Sequence, residues 1–152
     1  SDLWSQFVSM QNHVNLLYRE EEREMLPLCR DQGIAVLPWS PLARGRLTRD
    51  WNESSARQAS DTVGTALYDA TAEADRKVIE AVAAIAKTRN VPRAQVALAW
   101  LARKGGVTAP IVGASKPHHL TDAVAALGLT LTAEEIATLE TPYVPHAIAG
   151  FQ

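Results

Sequence analysis

At 152 residues the chain carries the material of one domain, enough to bury roughly two-thirds of its unfolded surface. A composition of 47% hydrophobic and 21% charged residues, with 8 Gly and 8 Pro, excludes disordered, collagen-like and disulfide-scaffold classes. Fifteen basic against seventeen acidic residues give a net charge of −2, so no global basic field recruits nucleic acid. The lone Cys29 forms no internal disulfide and fits a reducing, cytoplasmic setting. No run approaches the 18 or so apolar residues of a membrane helix, so no membrane partner is expected. Ser1-Asp2-Leu3-Trp4 lacks the charged-then-apolar layout of a signal peptide, and the abrupt start reads as a cut. Length also excludes a complete (β/α)8 barrel, which needs roughly 200 residues or more.

In chain order, Phe7–Gln11 reads as a strand. A helix follows, its exposed face carrying the opposite-charge pairs Arg19/Glu22 and Glu20/Arg23 and the solvated run Glu20-Glu21-Glu22. Met25, Leu26, Leu28 and Cys29 form its buried side, Pro27 kinks or restarts it, and Gly33 stops it. Ile34–Leu37 is a continuous apolar strand. Strand, helix and strand within some 30 residues make a βαβ unit, hence a parallel pair.

From Pro38 to about Ala74 no apolar period persists, and a structureless stretch of that length is more often functional than idle. Asp75–Lys87 then places Val78, Ile79, Val82, Ile85 and Ala86 on one helical face. Pro92 opens a further helix in which Ala94–Leu101 is apolar nearly all round and therefore buried. Ala109–Val112 reads as a third strand running into Gly113-Ala114-Ser115-Lys116-Pro117. Pro117 starts a helix with Leu120, Val124 and Leu127 on its apolar face, and Thr132 with Glu135 forms the capping box of the last one. The order is that of an α/β protein with a parallel sheet. Three strands cannot shield both sheet faces, so the segment reads as part of something larger.

Three places carry possible chemistry, each with a bland counterpart. At the turn after the third strand, Gly113 admits a ligand to the backbone, free amides point at an anion, and Ser115 and Lys116 add a hydroxyl and a cation. That is a phosphate site or a plain strand-to-helix turn; the Walker spacing is absent. Past the second strand, Trp39 offers a stacking platform or a core plug, beside Ser40, Gly45 and the cations Arg44, Arg46 and Arg49. Ligands bind at the carboxyl ends of parallel strands, which favours function. At the end of the first strand, Gln11, Asn12, His13 and Asn15 either orient an amide-bearing ligand or cap the turn. His118 and His119 point about 100° apart on a helix and make a poor metal pair, so no metal is expected. Cys29 reads as core, and His146 has no visible acid partner.

Taken together these motifs resemble the aldo-keto reductase superfamily, nearest its bacterial branch related to potassium-channel β-subunits. The resemblance covers residues 1–152 as a C-terminal half-barrel segment, a partial TIM (β/α)8 barrel made of strands six to eight, with a cofactor loop over 38–74 and a tail over 141–152. Ser9–Leu17 with Arg19–Glu22 resembles strand and helix six, Pro38–Gly45 the loop after strand seven, and Pro110–Lys116 with Leu120 and Asp122 strand eight and its phosphate turn. The resemblance implies NADP(H): Gln11 on the nicotinamide amide, Trp39 on the ring, and Ser40, Leu42, Arg44, Gly45 and Arg57 at the pyrophosphate. It also implies Ser115, Lys116 and His119 around the 2′-phosphate, with Asp122 near the adenine and Gly113 among the cofactor-binding residues. The family's Asp-Tyr-Lys-His tetrad has no counterpart, since Tyr18, Tyr68 and Tyr143 stand in other contexts. The expectation is the cofactor-binding portion of an enzyme reducing a small aldehyde or ketone, inactive by itself and completed by a missing N-terminal half. The other reading is a non-catalytic nucleotide-binding or self-associating half-barrel. Asp50, where relatives often carry a basic residue, and Ala123, where many carry Asn, depart from the family pattern.

Overall fold

The computed structural model describes residues 5–51, 53 and 62–148. Strand β1 (Ser9–Met10) pairs in parallel with β2 (Ala35–Val36), in the register Ser9 to Ala35 and Met10 to Val36. Bonds continue the ladder beyond both assigned ends: Ala35 N–H donates to Val8 O at 3.0 Å, Leu37 to Met10 at 2.8 Å and Trp39 to Asn12 at 2.9 Å. On the far side of β2, Val107 makes a parallel bridge to Val36, Thr108 N–H donates to Val36 O at 2.9 Å and Ile111 N–H to Pro38 O at 2.8 Å.

The expected third strand, Ala109–Val112, is therefore not a strand, although its segment runs alongside β2. The cause is local. Pro110 has no N–H to donate, and the Val36 amide is taken by the Thr108 hydroxyl, at 3.1 Å, instead of a backbone carbonyl.

Among the described residues six α-helices surround this small sheet: α1 (Met25–Asp31), α2 (Thr62–Tyr68), α3 (Ala72–Arg89), α4 (Arg93–Ala102), α5 (Pro117–Gly128) and α6 (Ala133–Glu140). The charged run before α1 is a single 3-10 turn, Glu20–Glu22, because Pro27 is tolerated only in the first turn of a helix starting at Met25. Leu26 and Cys29 are buried as expected, with Cys29 in the core, whereas Leu28 faces outward. The stretch from Pro38 to Ala74 holds regular structure that apolar periodicity does not mark: 3-10 turns at Ala43–Thr48 and Asp69–Thr71, α2 between them, and the start of α3. Helix α3 is longer than its sequence period and ends on Asn90, left-handed at φ 53°.

Helices α3 and α4 supply the core floor. Val78, Ile79, Val82, Ile85 and Ala86 of α3 are buried as the pattern requires; of the expected Ala94–Leu101 in α4, Val96 to Leu101 are buried while Ala94 and Gln95 are half-buried. Val14, Leu16, Leu17, Val36 and Leu47 close over them. The Thr132 capping box forms, with Glu135 N–H donating to Thr132 Oγ1 at 3.2 Å and Thr132 N–H to Glu135 Oε2 at 2.7 Å.

Helix α5 reverses its expected orientation. Leu120, Val124 and Leu127 are 60%, 61% and 63% exposed, while Ala126 is buried and Asp122 accepts from Gln95 Nε2 at 2.9 Å. The small residues give close approach to α4, so the larger stripe is left outward. No described helix is long and apolar enough to cross a membrane.

Candidate functional site

Parallel pairing sends all three extended segments the same way, so the residues after each emerge along one edge. Gln11 is exposed there. Trp39 is half-buried, and its ring is stacked on His13 with centroids 4.2 Å apart and planes 13° from parallel. Tyr18 covers the other face of His13 at 4.3 Å and 10°. The choice between platform and plug resolves structurally into a laminate: Tyr18, His13 and Trp39 form three stacked plates.

The His13 ring is held at its edge. Its Nε2 lies 2.7 Å from the Tyr68 hydroxyl, which also accepts from Asn15 Nδ2 at 3.0 Å. The same Asn15 amide donates to the Ser40 carbonyl at 2.9 Å, and its Oδ1 accepts from the amides of Leu17 (2.8 Å) and Tyr18 (3.0 Å). His13, Asn15 and Tyr68 are all buried, at 5%, 0% and 1% exposure. Burial pushes the His13 pKa down from 6.5 to about 4, so the ring is neutral at physiological pH. Burial likewise raises Tyr68, against hydrogen bonds from Ser40 and Asn15.

The loop beyond Trp39 is backbone under strain. Ser40 (φ 54°), Ala43 (φ 47°) and Arg44 (φ 55°) all lie in the left-handed region although none is glycine. Such residues cost of order 1 kcal/mol or more each and persist only where the surroundings over-determine them. Gly45 (φ 89°) lies where any L side chain is strained, and a Cβ there would also push against the end of the Arg49 side chain. Arg49 folds back on the loop, donating to Gly45 O at 3.1 Å and Arg44 O at 3.3 Å. Arg46 pairs with Asp69 and lies over the Tyr68 ring at 5.5 Å. Leu42 packs against the core, and Arg44 is exposed.

At the third segment Gly113, Ser115 and Lys116 are exposed. A Cβ on Gly113 would meet nothing within 4 Å, so that side of the turn is open. The Ser115 amide, expected to be free for an anion, donates to His119 Nδ1 at 3.3 Å within the turn itself. Asp122 is tied to Gln95 of α4. Asp50 pairs with Arg93, which answers its departure from the family pattern by neutralising it locally. Arg57 lies outside the described residues.

Glu20 and His146, with no expected role in the sequence, are structural in the fold. Glu20, expected to be solvated, is buried and accepts from the Tyr143 hydroxyl at 2.8 Å, the His146 amide at 2.9 Å and Arg23 at 3.0 Å. Burial opposes its ionisation, yet these donors hold its carboxyl below the usual range. His146, which showed no acid partner, has its Nε2 3.0 Å from Asp75 Oδ1. Burial raises the Asp75 pKa, against a bond from Thr71 and the nearby His146. The pair fastens the tail to α3. Sequence reasoning missed Asp75, Glu20 and Tyr68; the only signal for Tyr68 is that no other aromatic residue lies between Trp51 and Trp100. A separate groove of about 390 Å³, lined by Leu26, Arg30, Trp100, Arg103, Gly105 and Ile136, sits at the amino end of the third segment, away from this edge.

Parallel extended segments with helices packed around them define an α/β protein. Comparison with known proteins names the group: residues 1–143 match the model of the aldo/keto reductase family, and the chain belongs to it. A putative aryl-alcohol dehydrogenase of Schizosaccharomyces pombe is 49% identical over 149 residues, covering 97% of this chain and 41% of that protein. An aldo-keto reductase of Fusarium vanettenii is 45% identical over 148 residues, with 97% and 40% covered. The versiconal hemiacetal acetate reductase of Aspergillus parasiticus is 44% identical over 147 residues, with 95% and 43% covered. A crystal structure of a thermostable aldo-keto reductase with the inhibitor epalrestat superposes with a TM-score of 0.62 at 25% identity, over 89% of this chain and 39% of that one. The chain thus spans about two-fifths of the length of the relatives it matches.

Proposed function

We propose that this chain is the NADP(H)-binding portion of an aldo/keto reductase, corresponding to barrel strands six to eight, and that it serves the reduction of an aldehyde or ketone. The observation that carries the reading is the convergence of the Trp39 plate, the left-handed loop Ser40–Gly45 and the open turn at Gly113 on one edge of a parallel sheet. The donor set fits the cofactor. Gln11 would hold the nicotinamide amide and Trp39 the ring; Ser40, Leu42, Arg44 and Gly45 would line the pyrophosphate. Gly113, Ser115, Lys116 and His119 would take the 2′-phosphate, with Asp122 at the rim. When bound, the cofactor supplies the hydride; the chain's own residues hold and orient it and keep its anionic groups beside cations and hydroxyls.

The family's proton-donating tetrad falls outside the matched motifs, so the 152 residues by themselves bind cofactor without turning over a carbonyl. The other three-fifths of a barrel would supply it. From its motifs taken together, the chain would stand nearest the bacterial branch related to potassium-channel β-subunits. Titration with NADPH and NADH tests the reading: tighter binding of NADPH is expected, because only that cofactor carries the 2′-phosphate. Equal affinity, or no binding of either, refutes it.

A further inference from the structure

We propose that His13, held by Tyr68 and Asn15, is a positioning residue that fixes the plane of Trp39 and the turn at Ser40 that follows it. Three observations converge on it. First, His13 has a plate on each face, Tyr18 at 4.3 Å and Trp39 at 4.2 Å, so its tilt determines the tilt of Trp39. Second, the ring cannot rotate in its own plane, because Nε2 is bonded to a Tyr68 hydroxyl that is itself fixed by Asn15. Third, Asn15 reaches past the ring to the Ser40 carbonyl at 2.9 Å, and the Ser40 hydroxyl stands 3.5 Å from that of Tyr68. One buried cluster therefore controls both the plate and the first left-handed residue of the loop, whose conformation needs outside support.

The three side chains come from different places. His13 and Asn15 follow β1, and Tyr68 ends α2, 55 positions from His13 in sequence. Helix α2 thus acts at a distance in the chain on the geometry of the Trp39 face. No described aromatic ring stacks on the other face of Trp39. That arrangement suits a plate that is preset before a planar ligand arrives, which lowers the ordering cost of binding. This inference rests on the cofactor reading above for what the plate serves, but its structural content is independent of it.

The test uses the 152-residue chain labelled with 15N, the Trp39 indole resonance being assigned by loss in Trp39→Phe. His13→Ala removes the plate, His13→Phe restores a flat ring without the nitrogens, and Tyr68→Phe removes only the hydroxyl. Removing the plate is expected to move the Trp39 indole resonance from its ring-current-shifted position and to weaken NADPH binding about tenfold, the scale of one lost aromatic pair. His13→Phe is expected to recover most of both effects, and Tyr68→Phe to give an intermediate shift. An unmoved indole resonance in His13→Ala, or a Tyr68→Phe chain identical to wild type in both readouts, overturns the proposal. If His13→Ala does not fold, the two Phe variants carry the test. Failure of the wild-type chain to bind NADPH counts against the cofactor reading, and the indole shifts then judge the positioning role alone.

Discussion

Replacing His13 by Phe separates the pH dependence of this buried ring from that of every carboxylate in the protein. The folded pKa is about 4 and the ordinary value 6.5, and burial is the cause. Between those values the unfolded chain binds a proton that the folded chain refuses, so folding stability falls as the pH falls. The contribution is fully present above pH 6.5 and lost on descending towards pH 4. With 1.36 kcal/mol per pKa unit, wild type loses about 2 kcal/mol by pH 5 and about 3 kcal/mol by pH 4 that His13→Phe does not lose. Phe keeps the stack between Tyr18 and Trp39, and the Tyr68 hydroxyl keeps Asn15 at 3.0 Å.

The measurement is a pair of melting series between pH 7 and pH 4. For a protein of this size 3 kcal/mol corresponds to about 10 °C in Tm, so the two curves should converge by that much towards acid, or cross. Glu20 and Glu140, whose carboxyls are held low by their partners against burial, and Asp75, which burial raises, titrate in both chains and cancel in the difference. Parallel curves would refute the account of a neutral, desolvated His13.

Further outcomes follow from other contacts. Lys116→Ala should weaken NADPH binding several-fold while leaving NADH unchanged, measured by cofactor fluorescence. Thr132→Ala removes a capping box and should cost about 1 kcal/mol, or about 3 °C in Tm by calorimetry. Gly45→Ala puts a side chain at φ 89°, against the end of Arg49, and should destabilise by about 1–2 kcal/mol in urea unfolding while weakening NADPH. Glu20→Gln should release the tail, seen as faster proteolysis after Tyr143, because the buried carboxylate accepts from both Tyr143 and His146.

Periodicity in the sequence located the helices well wherever one face alone is buried. Helix α3 follows its 3.6-residue stripe, and the apolar run Val96–Leu101 of α4 is buried throughout. The same logic failed at α5, where the apolar stripe Leu120, Val124 and Leu127 points outward and small residues make the contact. An apolar stripe on a helix marks a face that gains by being covered; it does not specify which neighbour covers it. Helix α2 carries no such stripe, since Gly64 and Tyr68 are its buried residues, and periodicity had nothing to register.

By itself the sequence determined the α/β class of fold, the parallel βαβ unit and the family, and it marked the three loops on which the proposed cofactor site is built. Those features rest on local chemistry: turn residues, caps, strand-length apolar runs and the spacing of donors. The tertiary structure alone decided which residues support the loops. Tyr68 meets His13, Tyr143 meets Glu20, and His146 meets Asp75 across separations of 55, 123 and 71 residues. No local pattern encodes such pairs, because each gains its energy only when a second element excludes water from both partners. Burial made His13 neutral, Glu20 a clamp and Trp39 one plate of a stack, and burial belongs to the folded chain.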